Sequence, residues 1–394
     1  MQAVVLAAGE GTRIRPLSRT QAKPMLPVGD GPLVERTMAS AVDAGADELV
    51  LVVGYEGDDV REHFGDSYRG TPVKYAEQTE QRGTAHAVKA AADHLDGPFA
   101  VLNGDGYFDP TSVQELFDAR PAILSYRADD PTAYGVLDTE DGAVTDVVEK
   151  PDDPPGNLVN AGAYVFPEEA TGWLDVPETE RGEKELTDVL ERVIDEFAVT
   201  PVEVDEWLDV GHPWELLEAN ERYVATLDRR VDGDVSDDAT LEGDVVVEDG
   251  ATVKAGTLIE GPALVREGAT VGPNAYVRGA TLIDEGATVG NAVEVKNSIV
   301  GKDSSVAHLS YLGDSVLGRN VNFGAGTVVA NLRHDDADVK LTTKGERVST
   351  GRRKFGVVAG DDAATGIDTS LNAGVTLGVG ATTTPGETLT RDRW

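Results

Sequence analysis

The chain has 394 residues, more than one hydrophobic core usually spans, so two domains are expected. Its 71 acidic against 34 basic residues give a net charge of -37, which makes nucleic acid and anionic membrane poor partners. There is no cysteine, which excludes disulfides, thiolate metal sites and a covalent cysteine intermediate.

Near molar salt the screening length falls to about 3 Å, so the acidic excess suits a salt-rich cytoplasm such as that of a halophilic archaeon. The opening residues run directly into an apolar strand pattern, and no run of about 18 apolar residues follows anywhere. The expectation is a soluble, cytoplasmic protein without a leader or a membrane span.

From residue 1 to 228 short apolar runs alternate with longer amphipathic ones. Segments 3–7, 49–53, 99–102, 122–126 and 163–166 read as strands, several without polar alternation, and 32–44, 84–94, 113–120 and 184–197 read as helices. This predicts a Rossmann-like α/β domain with a parallel sheet, whose ligands gather at the carboxyl ends of the strands.

The rhythm changes in 229–394. Val247, Val253, Ile259, Val265, Val271, Val277, Ile283, Val289 and Val295 recur at every sixth position, with Gly, Ala, Asp and Asn between them. No helix presents every sixth residue on one face, whereas a triangular left-handed parallel β-helix places one inward aliphatic residue on each of its three faces per turn. The spacing slips by one near Val300 and resumes through Val306 and Leu312, with a weaker echo over 367–381. Residues 333–355, polar and basic, fit poorly and read as a loop thrown out from the solenoid.

The first strand leads into Leu6-Ala7-Ala8-Gly9-Glu10-Gly11-Thr12-Arg13, and Lys23-Pro24-Met25-Leu26-Pro27-Val28 follows. Two glycines let backbone N–H groups face an anion, and Arg13 and Lys23 supply positive charge for phosphate oxygens. A structural turn bearing a surface arginine is the competing reading of the glycines alone. No Walker lysine-hydroxyl pair follows, so this is not a P-loop.

The combined pattern resembles the sugar nucleotidyltransferase family, whose opening reads Gly-x-Gly-Thr-Arg and then Lys-Pro-x-Leu-Pro-Val, with further family motifs in order through the first half. The resemblance implies that Leu6, Ala8, Gly9, Gly11, Thr12, Gln78, Gly83 and Thr84 hold the nucleotide, and that Arg13 and Lys23 are catalytic. It makes Asp105, in Asn103-Gly104-Asp105, and Asp209, in Trp207-Leu208-Asp209, the ligands of Mg²⁺; either alone reads equally as a turn or capping residue. It also implies that Gly135, Glu149, Lys150 and Asn160 bind the sugar phosphate, although a Glu-Lys-Pro turn is unremarkable by itself. The reaction it implies is attack of a sugar-1-phosphate oxygen on the α-phosphorus of UTP or dTTP, releasing pyrophosphate.

A β-helix is a common trimerisation module, so a homotrimer is expected and an inert scaffold is one reading of the second half. Against inertness, Lys296, His308-Leu309-Ser310-Tyr311-Leu312-Gly313-Asp314, Ala325-Gly326 and Asn331 resemble the acetyltransferase half of the bifunctional glucosamine-1-phosphate acetyltransferase and N-acetylglucosamine-1-phosphate uridyltransferase family. By that resemblance His308 deprotonates the sugar amine, Lys296, Tyr311, Asn331 and, more loosely, Lys340 hold the acceptor, and Ala325 and Gly326 face acetyl-CoA at a trimer seam. The sequence departs from bacterial members after Asn331, where Leu332-Arg333-His334 replaces Tyr-Asp-Gly, and 345–354 resembles the archaeal branch. Glucosamine-1-phosphate and galactosamine-1-phosphate both remain open as acceptors. The runner-up is a nucleotidyltransferase for glucose-1-phosphate on an inert trimeric scaffold; a catalytically dead regulatory binder ranks last, because Lys23, Asp105 and Asp209 are all present.

Overall fold

The structure is a computed structural model, described for residues 1–179 and 182–394. The chain falls into two compact units: Met1–Glu10, Ala22–Met25 and Leu33–Val210 form one, and Gly11–Gln21, Leu26–Pro32 and Gly211–Trp394 form the other.

The first unit is built on a sheet whose centre is strand Gln2–Ala7. This strand lies between Glu48–Val53 and Phe99–Asn103 and runs parallel to both, and Thr71–Glu77 extends the parallel run beyond Glu48–Val53. Ala3, Val5 and Ala7 pack with Met38 and Leu116 on one face, while Val4 and Ala8 pack with Val88 and Leu190 on the other. A strand covered on both sides has no polar face, which is why its sequence shows no alternation.

The sheet is mixed rather than parallel throughout. Leu158–Phe166 runs antiparallel to Phe99–Asn103, and the hairpin Gly135–Glu140 with Ala143–Glu149 is attached antiparallel to its far edge. Asp138, Thr139 and Glu140 are exposed there, so that strand lacks the continuous apolar run that marks the buried core strands.

In the second unit, three stacks of short parallel strands, eight, seven and eight deep, form the three faces of a left-handed β-helix. Val247, Val253, Ile259, Val265, Val271 and Val277 are all buried in its interior. Val245 lies beside Ala263 and Val253 beside Val271, eighteen residues apart, but Leu282 lies beside Ile299 and Val289 beside Val306, seventeen apart. Ile299 lies beside Val316, again seventeen apart, so two successive coils are each a residue shorter at a corner, and the first of them is the slip seen near Val300. The interruption at 333–355 is a loop, as its composition suggests, but it contains an antiparallel hairpin, Lys340–Thr343 with Glu346–Ser349. Helix α1 (Pro213–Val224) belongs to this unit and packs against its strand Thr281–Ile283.

Candidate active sites

The first candidate site lies at the carboxyl ends of the parallel strands. Leu6 stands beside Asn103, and the Gly104 N–H donates to the Leu6 carbonyl at 2.9 Å. A Cβ at Gly104 would come within 2.6 Å of that oxygen, so this turn admits only glycine without a backbone shift. The next residue but one after strand Phe99–Asn103, Asp105, thereby lies just past the strand's carboxyl end.

The Lys23 side chain, 8% exposed, forms an ion pair with the Asp105 carboxylate. Strand Trp207–Asp209 pairs antiparallel with Gly106–Phe108, which sets Asp209 opposite Gly106, and the Val210 N–H donates to the Asp105 carbonyl at 3.0 Å. Residues about a hundred positions apart in sequence are thus brought side by side. Among the described residues no cluster of three or more His, Cys, Asp or Glu converges on one point. Two carboxylates suit a hard cation that takes its remaining ligands from substrate phosphates and water, so the donor set fits Mg²⁺.

Gln78, buried, donates from Nε2 to the Gly83 carbonyl and contacts His86 Nδ1, each at 3.1 Å. Its amide plane is therefore oriented by protein contacts before any base arrives. His86 has this orienting position without having been singled out in the sequence. The Gln81 amide donates to the Ala8 carbonyl at 2.9 Å, tying this segment to the loop after the first strand. Thr84 Oγ1 accepts from the Leu186 N–H at 2.9 Å, and the Lys184 N–H donates to the Arg82 carbonyl at 2.7 Å.

Gly11, Thr12 and Arg13 belong to the second compact unit. Gly11 has φ 61°, a left-handed conformation that glycine adopts without cost, and a short 3₁₀ turn, Thr12–Ile14, follows. The Arg13 guanidinium lies against Gly211, where an added Cβ would be 2.9 Å from Nη2.

On the sugar side, Gly135 stands opposite Glu149 in the hairpin ladder, and a Cβ on it would come within 3.0 Å of Glu149 Oε2 and 3.6 Å of the Asn160 Cβ. These three residues therefore converge. Asn160 accepts from the Gly162 N–H at 2.9 Å and donates to the buried Tyr164 hydroxyl at 2.6 Å, which fixes its amide at a bulge in the strand. Lys150 extends its ammonium to 3.2 Å from Glu149 Oε1. Glu185 is a member of this neighbourhood that sequence reasoning missed. Burial, then a hydrogen bond with Glu183 and the charge of Glu149, push its carboxyl up to about 7.

The second candidate site is on the β-helix and centres on a residue to which the sequence assigned no role. Asp314, 3% exposed, accepts from Lys296 Nζ at 3.1 and 2.9 Å and from Asn297 Nδ2 at 3.1 Å, and it also accepts from the Asn331 amide. Asn331 donates in addition to the Tyr311 hydroxyl at 3.1 Å. Lys296, Tyr311 and Asn331, spread over three coils, are thus assembled around one buried carboxylate. Burial first, and then Asp314 and Glu294, push the Tyr311 hydroxyl above its ordinary range, so it remains a proton donor near neutrality.

His308 is exposed at the end of strand Ser305–His308, three residues before Tyr311. Its carbonyl accepts from the Gly326 N–H at 3.0 Å, so Ala325 and Gly326 lie on the adjoining coil beneath it. Lys340 is exposed on the hairpin of the inserted loop. The only hint of Asp314's position was its place in Tyr311-Leu312-Gly313-Asp314.

Residues 2–226 match the nucleotidyl transferase family, and residues 241–334 match the family described as the GMPPB C-terminal domain. The "Bifunctional protein GlmU" of Methanococcus maripaludis strain S2 is 38% identical over 96% of this chain and 92% of its own length. The "Bifunctional sugar-1-phosphate nucleotidylyltransferase/acetyltransferase" of Sulfurisphaera tokodaii is 34% identical over 100% of this chain and 98% of its own. A solved UDP-glucose pyrophosphorylase complexed with UDP-glucose shares the fold over 57% of this chain and 98% of that one, with TM-score 0.53 and 23% identity. With two arrays of polar side chains, one in each compact unit, and relatives that match it almost end to end, the chain belongs to the nucleotidyl transferase family and, within it, to the bifunctional sugar-1-phosphate nucleotidylyltransferase/acetyltransferases.

Proposed function

We propose that the chain acetylates glucosamine-1-phosphate with acetyl-CoA and then joins the product to a nucleotide from UTP or dTTP, giving a UDP-N-acetylglucosamine-type nucleotide sugar and pyrophosphate. The observation that carries the first-half reading is the Lys23–Asp105 ion pair with Asp209 laddered beside it at the carboxyl ends of the parallel strands.

In nucleotidyl transfer an oxygen of the sugar-1-phosphate attacks the α-phosphorus, and the bond from that phosphorus to the bridging oxygen of the β-phosphate breaks. The attacking oxygen is already ionised, so no general base is required. Positioning and charge stabilisation do the work. Asp105 and Asp209 would hold Mg²⁺, which supplies charge neutralisation to the α-phosphate and the leaving pyrophosphate. Lys23 and Arg13 add positive charge to the same oxygens. Gln78, Gly83 and Thr84 hold the base and ribose, with Leu6, Ala8, Gly9, Gly11 and Thr12 along the phosphates. Gly135, Glu149 and Asn160 take the sugar hydroxyls, and Lys150 takes its phosphate.

In acetyl transfer the neutral His308 imidazole removes a proton from the sugar ammonium. The freed amine attacks the thioester carbonyl, and the thiol of CoA departs. Lys296, Tyr311 and Asn331, held by Asp314, position the acceptor, with Ala325 and Gly326 on the acetyl-CoA side. Lys340, on the inserted hairpin, supplies a further basic contact to the acceptor's phosphate, and copies of the chain assemble as a homotrimer through the β-helix. Among the described residues no helix is long and apolar enough to cross a membrane. The net charge of -37 supports action in a salt-rich cytoplasm.

The test is mass spectrometry of the products formed from glucosamine-1-phosphate, acetyl-CoA, UTP or dTTP and Mg²⁺ in molar KCl, beside His308→Ala. An N-acetylated nucleotide sugar formed only when His308 is intact supports the two-site reading. A nucleotide sugar from glucose-1-phosphate, with no acetylation by either protein, leaves the β-helix a scaffold and sinks it.

A further inference from the structure

The loop after the first strand is fastened to the β-helix. Residues Gly11–Gln21 fall in the second compact unit, with the coils. The segment has little regular structure of its own beyond two short 3₁₀ turns, Thr12–Ile14 and Leu17–Arg19. A segment of that kind keeps one shape where side chains tie it down. Ser18, 1% exposed, donates from Oγ to the Gly11 carbonyl at 2.7 Å and so closes the loop on the glycine at its head. At the other end Thr20 donates from Oγ1 to the Asp361 carboxylate at 2.8 Å, and its carbonyl accepts from Arg319 Nη2 at 2.9 Å. Between them Pro16 rests on Gly360, where an added Cβ would lie 2.9 Å from the Pro16 Cβ.

Arg319 and Asp361 come from adjoining coils. Leu317 and Ala359 are partners in the strand ladder, and Arg319 and Asp361 each stand two residues further on. Asp361 is buried and accepts from the Arg319 N–H at 2.8 Å and from Arg319 Nε at 2.7 Å. A Cβ on Gly318 would collide with Asp361 Oδ1, so glycine there leaves room for the carboxylate. A pair that served to stitch two coils together would be complete with these bonds. Here each partner makes a further bond to the same residue of the loop: the carboxylate accepts from the Thr20 hydroxyl and the guanidinium donates to the Thr20 carbonyl. Charge-assisted hydrogen bonds of this kind are the strong ones, and two of them on one residue fix its backbone as well as its side chain.

We propose that Asp361 and Arg319, on coils of the acetyltransferase half, are positioning residues for nucleotidyl transfer, because they hold the loop that presents Gly11, Thr12 and Arg13 to the nucleotide phosphates. The inference rests on the roles given above to those three residues. A group that stabilises developing charge works by being in place beforehand, and a shift of about 1 Å in such a group costs about 10²-fold. Freed at Thr20, the loop loses its outer anchor, and the Ser18 bond then fixes Gly11 to a segment that itself moves. The coils thereby serve the first reaction without touching its substrates.

The experiment compares the full chain as wild type, Asp361→Ala, Thr20→Val and the double variant. Thr20 is exposed, so its variant breaks the same contact without disturbing the coils, and it decides the matter if Asp361→Ala loosens them. Hydrogen exchange read by mass spectrometry should show the amides of 11–21 exchanging about tenfold faster in both single variants, with strands Val316–Leu317 and Val358–Ala359 as slow as in wild type. Pyrophosphate release from UTP and N-acetylglucosamine-1-phosphate should fall about 10- to 10²-fold in kcat. The double variant should be no slower than the slower single one, since both changes break one contact. Loop amides that exchange as slowly as in wild type overturn the proposal, as do a loosened loop with unchanged kcat and losses that multiply in the double variant. A wild type that releases no pyrophosphate fails the nucleotidyl transfer reading itself, whereas an active wild type beside equally active variants fails this inference alone.

Discussion

Replacing Asp314 by Asn removes a charge at the centre of the β-helix site and leaves the shape of the side chain almost unchanged. In the native chain the carboxylate accepts from Lys296, Asn297 and Asn331, and it is 3% exposed. An amide in its place turns an NH₂ towards some of these donors and leaves the Lys296 ammonium without its counter-charge. Breaking a buried pair by removing one partner costs about 3–5 kcal/mol. The Lys296 side chain is 18% exposed and recovers part of that from water, so a loss of about 2–3 kcal/mol at this site is expected. The effect on catalysis should be larger than on folding. A misplacement of roughly 1 Å in a positioning group costs about 10²-fold. Acetyl transfer can be followed by the thiol that acetyl-CoA releases, and the protein, having no cysteine, contributes no background. The expected outcome is a fall of about 10²-fold in kcat/KM for glucosamine-1-phosphate, with nucleotidyl transfer from N-acetylglucosamine-1-phosphate within about twofold of wild type. Unchanged acetyl transfer in Asp314→Asn would refute the argument that this carboxylate assembles the site.

Other outcomes follow from the same geometry. His308→Ala should lower acetyl transfer by about 10²–10⁴, the range of a lost general base, and spare nucleotidyl transfer; equal loss of both would place His308 in a structural role. Lys23→Met should lower nucleotidyl transfer about 10²–10³-fold and leave thiol release intact, read in parallel assays on one preparation. Glu185 has its carboxyl raised to about 7 by burial and by Glu183 and Glu149, so the folded chain holds a proton there that the unfolded chain releases near its ordinary value of 4.5. Its favourable contribution is complete below that ordinary value and is lost as pH rises through about 7. Glu185→Gln should therefore melt higher than wild type at pH 8 and alike at pH 4, and the reverse pattern would contradict the assignment. With a net charge of -37, the melting temperature should climb as KCl rises from 0.1 M towards 2 M, and a flat or falling curve would remove the case for a salt-rich cell.

The β-helix was readable because its rule is local: every sixth side chain must be aliphatic to fill a three-faced core, and Val247 through Val295 state this without reference to anything distant. The central strands were readable for a similar reason, since burial on both faces removes polar residues from 3–7 and 49–53. The antiparallel hairpin Gly135–Glu149 was not, because Asp138, Thr139 and Glu140 face water and break the apolar run. Asp105 and Asp209 could be paired only through family resemblance; the ladder between Gly106–Phe108 and Trp207–Asp209 that joins them closes a loop of about a hundred residues, which no local pattern records. Asp314 was passed over for the same reason: its partners Lys296 and Asn331 sit on the coils before and after it, so its importance lies in contacts across coils. His86 and Glu185 likewise acquire their places only when 78–86 and 183–186 come together.

The central claim, two independent active sites on one chain, is tested most directly by mixing two singly disabled proteins. Lys23→Ala should acetylate without transferring a nucleotide, and His308→Ala should transfer without acetylating. Given glucosamine-1-phosphate, acetyl-CoA, UTP and Mg²⁺, each alone should yield almost no UDP-N-acetylglucosamine by mass spectrometry, while the mixture should restore it through the released intermediate. A mixture that makes no more product than the better single variant would contradict the account.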